Sequence, residues 1–169
     1  MGTETAQQQP SMPEPQSEHK WLQKLVGEWT YQSEMAMEPG KPPEVMSGKE
    51  TVRSFGDLWT IAEMAGGAAG GVGHRSILTL GYETQKGRFA GTFISEGVAL
   101  MWVYDGSLDA AKKILTLDCD GPSMSGDGST AKYQDILELV SDDERVFRSQ
   151  TQDASGKWNE FMRMTYRRK

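Results

Sequence analysis

The sequence predicts an all-β fold: an antiparallel up-and-down β-barrel of about ten strands with a short N-terminal helix. Three observations predict it. Apolar and polar residues alternate with period two through most of the chain after Gly27. Turn residues break that alternation at short intervals, the pattern of consecutive hairpins. Gly27 lies two residues before Trp29 where the first strand begins, so the backbone can bend sharply and an indole can cover a barrel floor.

The helix is expected over 17–26, with Ser17 as its cap and Trp21, Leu22 and Leu25 on one face. In a barrel such a helix closes one end. The first strand then puts Trp29, Tyr31, Ser33, Met35 and Met37 on one side and Thr30, Gln32, Glu34 and Glu38 on the other. Pro39-Gly40-Lys41-Pro42-Pro43 turns it. Further strands are expected over 44–55, 58–65, 74–82, 88–96, 100–104, 113–120, 133–140, 145–152 and 158–167. The glycine tract at 66–73 lacks the Gly-Lys-Ser/Thr ending of a phosphate-binding loop, and no helical pattern follows it, so it reads as a hairpin connection. A meander of this length closes on itself, because closure removes exposed strand edges. Ten strands enclose more space than side chains fill easily, which predicts a cavity.

Composition narrows the function. The chain has 169 residues, a net charge of −6 and one cysteine, Cys119. The acidic balance excludes the basic face that a nucleic-acid partner requires. No stretch approaches the ~20 apolar residues of a membrane span, and no signal-peptide pattern stands at the start. A single cysteine forms no disulfide framework within the chain, and the expected setting is cytoplasmic. Residues 1–17, rich in Gln, Pro and Glu, are expected to be a disordered leader to a single barrel domain over 18–169.

Several segments carry a family resemblance: Leu25-Val26-Gly27-Glu28-Trp29, Leu80-Gly81-Tyr82-Glu83, Gly91-Thr92-Phe93, Trp102-Val103-Tyr104-Asp105-Gly106, Leu117-Asp118-Cys119-Asp120-Gly121-Pro122, and Lys157-Trp158 through Tyr166. The helix leading into Gly27-Glu28-Trp29 is similar to the start of a lipocalin-type (calycin) barrel. More closely, the chain resembles the uncharacterised bacterial DUF1579 family. The calycin likeness implies a basic residue of the last strand packed on Trp29, with Arg163 and Arg167 as candidates.

The leading functional expectation is a binder of a small apolar or fatty-acid-like molecule. The candidate ligand-binding residues are Trp29, Tyr31, Arg53, Trp59, Glu63, His74, Thr92, Trp102 and Arg163. Aromatic walls with a few polar anchors suit such a pocket, ten methionines would let it adapt, and an inward arginine would favour a carboxylate ligand. The alternatives are an isomerase or hydrolase acting through Glu63, Asp118 or His74, a haem protein with His74 as axial ligand, and a homodimerising module. No metal site is expected from two histidines and one cysteine, and the cofactor is left open. Asp118 and Asp120 share a strand face, outward and solvated unless that face points inside.

Overall fold

The computed structural model describes residues 13–36, 40–69, 71 and 73–169. Most of the predicted leader, and the predicted strand positions Met37 and Glu38, lie outside the described residues. One helix, α1 (Ser17–Gln23), precedes ten strands: β1 (Gly27–Met35), β2 (Glu44–Phe55), β3 (Trp59–Ala68), β4 (His74–Glu83), β5 (Arg88–Ser95), β6 (Val98–Leu108), β7 (Ile114–Pro122), β8 (Thr130–Leu139), β9 (Glu144–Gln152) and β10 (Trp158–Arg168). Each strand pairs antiparallel with its sequence neighbours, and β10 closes onto β1. The result is the predicted closed up-and-down barrel.

The helix is shorter than its apolar pattern suggests, and its cap is not Ser17. Gln16 is the N-cap, and its backbone N–H donates to His19 Nδ1 at 2.9 Å. The other imidazole nitrogen meets the Tyr82 carbonyl at 3.0 Å, so Nε2 is the protonated one and His19 ties the helix to β4. Trp21, Leu22 and Leu25 are buried and stopper the barrel, as their spacing predicts. Trp21 Nε1 donates to the Lys112 carbonyl at 2.8 Å, and its ring meets Phe89 edge-on.

Gly27 carries the chain from helix to barrel with φ of +141°, a region that disfavours side chains, and a Cβ there would collide with the Arg168 guanidinium. Trp29 follows, 1 % exposed, and donates from Nε1 to the Leu25 carbonyl at 2.9 Å. Inward positions then run with period two: Trp29, Tyr31 and Ser33 on β1, Leu115 and Leu117 on β7, Tyr133 and Leu137 on β8.

The wall is not uniform. β6 pairs with β7 only where residues 105–108 face 115–118, while the far half of β6 pairs with β5 alone and the far half of β7 with β8 alone. A surface groove of about 450 Å³ lies beside this short ladder, lined by Val103, Asp105, Asp118, Asp120 and Trp158 among others.

Candidate functional site

The helix and the lower ends of the strands fill one end of the barrel. Toward the other end the side chains leave a cavity of about 340 Å³. Three glycines help to open it. A Cβ on Gly48 or Gly66, which face each other across β2 and β3, would strike Tyr31 Oη, and a Cβ on Gly121 would strike the Trp102 ring. Tyr31 and Trp102 therefore lie flat against the strands instead of filling the space.

The walls are mostly apolar: Met46, Met64, Leu78, Phe93, Trp102 and Phe147 are representative. Tyr133 meets Trp102 edge-on at 5.0 Å and Phe161 at 6.2 Å, forming an aromatic corner. Exposed His74 stands on the rim beside Ser95, to which it is hydrogen-bonded.

Two polar groups interrupt this surface. At the base, Arg145 of β9 is ion-paired with Glu50 of β2, each 3 % exposed. The guanidinium lies 4.6 Å from the Trp29 ring centre and 4.2 Å from that of Tyr166, so two aromatic faces share its charge. Burial lowers the Arg145 pKa to about 10, which leaves it cationic at neutral pH. Arg145 Nε and the nearby Ser33 Oγ are buried without hydrogen-bond partners.

Higher on the wall, Asp135 of β8 accepts hydrogen bonds from Tyr104 Oη at 2.5 Å and from Ser149 Oγ. Part of its surface is open, and it opens on the cavity. Burial raises its pKa, and the two hydroxyls oppose that rise only in part. Burial likewise raises Tyr104, with Asp135 adding to the effect. Cys119 is pushed up to about 12 by burial and then by Asp135, Asp120 and Asp118, so it stays a thiol and is no ready nucleophile.

The structure sorts the sequence candidates by strand parity. Tyr31, Trp102 and His74 line the cavity, and Trp29 lies beneath its base. Arg53 and Glu63 are exposed on the outer wall. Thr92 is turned to Thr79, with the hydroxyls 2.8 Å apart, and does not line the cavity. Trp59 lies on the outer face across Gly81, whose Cβ would collide with the indole. Arg163 is exposed and paired with Glu160 at 2.9 Å. The cation expected on Trp29 from Arg163 or Arg167 comes instead from Arg168, 4.2 Å from the ring centre, and from Arg145. A bulge between Glu160 and Met162 sets the parity of β10 so that Met164 and Tyr166 point in and Arg163 and Arg167 point out. Asp118 and Asp120 are exposed, on the groove side.

Glu50, Asp135, Arg145, Ser149 and Tyr166 are cavity residues that the sequence reading missed. The signal for Glu50 was present: it sits opposite Trp29 in the β1–β2 register, so an inward Trp29 requires an inward Glu50. No cluster of three or more His, Cys, Asp or Glu suited to a metal occurs among the described residues. No helix among them is long and apolar enough to cross a membrane.

Fold and cavity together define a closed ten-stranded up-and-down β-barrel, plugged by a helix and hollow toward its other end. The chain belongs to the DUF1579 family, described as a protein of unknown function, whose profile matches residues 14–168. The crystal structure of Rv2717c from M. tuberculosis is similar, with a TM-score of 0.63 and 13 % identity, covering 92 % of this chain and 99 % of that one. A structure of EF1p2_mFAP2b bound to DFHBI matches with a TM-score of 0.50 and 12 % identity over 90 % of this chain and 100 % of that one. At these identities the likeness is one of fold. No curated protein matches the chain.

Proposed function

We propose that the protein holds a small, largely apolar molecule inside the barrel. One observation carries this reading: about 340 Å³ of space remains among Met, Phe, Leu and aromatic walls, with polar groups confined to a few places. Small-molecule sites are typically ~300–1,000 Å³, mainly apolar, with few polar anchors. Interior side chains could have closed the space, yet glycines stand at positions 48, 66 and 121 where larger residues would intrude. The comparison barrel EF1p2_mFAP2b, described as bound to DFHBI, supports the capacity of such a fold to hold a small molecule.

The fatty-acid form of this idea needs a free cation inside, and the inward arginine, Arg145, is engaged by Glu50. Nothing favours the haem form: His74 is on the rim against Ser95, and both nitrogens of His19 are occupied beneath the floor. A single cysteine kept as a thiol suits a reducing compartment, which supports a cytoplasmic assignment.

The test is titration with N-phenyl-1-naphthylamine, an uncharged apolar fluorophore. Saturable blue-shifted emission is expected. It should be lost in Ser76→Trp, which places an indole in the cavity from a small inward position on β4. Native mass spectrometry of protein purified from its own host supplies the second readout, with a bound small molecule expected. No saturable emission together with a ligand-free mass would overturn the proposal.

A further inference from the structure

The cavity's ionisable groups do not balance. Arg145 and Glu50 face each other and cancel. Asp135 has no such partner: among the described residues its side chain receives only the Tyr104 and Ser149 hydroxyls, and no lysine or arginine is ion-paired with it. Each of its oxygens accepts one of these bonds, and a carboxylate oxygen has room for a second. Part of its surface opens on the cavity, near the corner formed by Trp102, Tyr133 and Phe161. A carboxylate beside aromatic rings is the chemistry that receives an organic cation: the carboxylate takes the N–H donors and the ring faces attract the charge.

We propose that the cavity is selective for a protonated organic amine on an apolar skeleton, with its ammonium at Asp135 and its skeleton against Trp102, Tyr133 and Phe161. This rests on the small-ligand reading above and names the ligand class for that same site. A carboxylate ligand would place a second negative charge beside Asp135 and is disfavoured. The raised pKa of Asp135 agrees with a buried carboxyl that lacks a counter-charge. The outer groove adds a field of the right sign. Asp105, Asp118 and Asp120 line it together with Lys132, and Cys119 and Tyr133 belong both to the groove and to the cavity wall. Asp105 is paired with Arg88 and Lys132 stands opposite Asp120 in register, so Asp118, which accepts a hydrogen bond from the neutral Gln134, carries the groove's remaining negative charge.

Three competitors on one skeleton test the assignment: 4-phenylbutylamine, 4-phenylbutan-1-ol and 4-phenylbutanoate, each displacing N-phenyl-1-naphthylamine at pH 7.5. The amine should displace at a concentration at least about tenfold below that of the alcohol, with the carboxylate weaker than the alcohol. Asp135→Asn should bring amine and alcohol to within about twofold of each other. Glu63→Gln, an outward carboxylate on β3, should keep the full ratio. An alcohol that matches or outcompetes the amine overturns the inference while leaving the small-ligand reading intact, and so does a preference that survives in Asp135→Asn. Failure of the fluorophore to bind, together with a ligand-free native mass, overturns both. The ranking in the unmodified protein decides the matter even if Asp135→Asn does not fold.

Discussion

Two arginines pack on the same tryptophan and face opposite fates. Arg168 lies under the barrel, where its guanidinium donates to the carbonyls of Asp142, Val26 and Lys24 at 2.8 to 2.9 Å, tying the end of α1 to the last strand. Arg145 lies above Trp29 in the cavity base, ion-paired with Glu50 but with its Nε unbonded. The floor is saturated throughout: the indole N–H groups of Trp21 and Trp29 and both nitrogens of His19 all have partners. The cavity leaves Ser33 Oγ without a partner and Asp135 without a cation. Buried polar groups are bonded as a rule, so the unmet capacity around the cavity base sets it apart from the floor. The floor holds the barrel shut with every one of these donors and acceptors used, whereas the cavity base leaves some of its own unbonded.

The largest effect should come from breaking the base. Glu50→Ala leaves the Arg145 guanidinium buried beside two rings with no counter-charge, and a loss of about 3–5 kcal/mol in urea denaturation is expected. Replacing both partners, Glu50→Leu with Arg145→Met, should cost less than the single change, because no buried charge is left stranded. A single change no worse than the double would show that the pair does not hold the base together. Trp29→Ala removes the ring shared by both arginines and should cost about 3–5 kcal/mol.

Arg168→Ala tests the floor alone. It removes charged hydrogen bonds to the helix end, and a loss of about 1.5–3 kcal/mol is expected, with fluorophore affinity held because the cavity wall is intact. Equal damage to stability and binding would erase the distinction between the two regions.

Asp135 sharpens the comparison through pH. Its carboxyl pKa is raised in the folded state, so folding favours the protonated form. That contribution is full below the unfolded value near 3.8 and is lost as pH rises through the folded value. Asp135→Asn removes the dependence. The variant should therefore gain on the parent in urea midpoint as pH rises from 4 to 8. Asp153, held down to about 2 by Ser155 and Asn159, acts in the opposite sense, but it is present in both proteins and cancels. The smallest effect belongs to the outer wall: Arg53→Ala and Arg163→Ala should stay within about 0.5 kcal/mol and leave binding unchanged.

The strand count, the closing helix and the place of Trp29 were legible because alternation and turn chemistry are local. The interior was harder to read because parity passes from strand to strand through register. One bulge in β10 was enough to turn Arg163 and Arg167 outward. Charge also misled. Glu50 and Asp135 sit on inward positions of clean alternations, Glu50 opposite Trp29 and Asp135 between Tyr133 and Leu137, yet carboxylates are seldom expected inside. Arg53, Glu63 and Thr92 were chosen as polar anchors within strands whose other face turned out to be the inner one.

The brief ladder between β6 and β7 makes the tube a cylinder stitched firmly along nine seams and only tacked along the tenth. Opening there would not unplug the helix or disturb Trp29. It would part β6 from β7 beside Cys119, which with Tyr133 is common to the outer groove and the inner chamber. The wall between groove and chamber is thus the part of the barrel held by the shortest ladder of strand pairs.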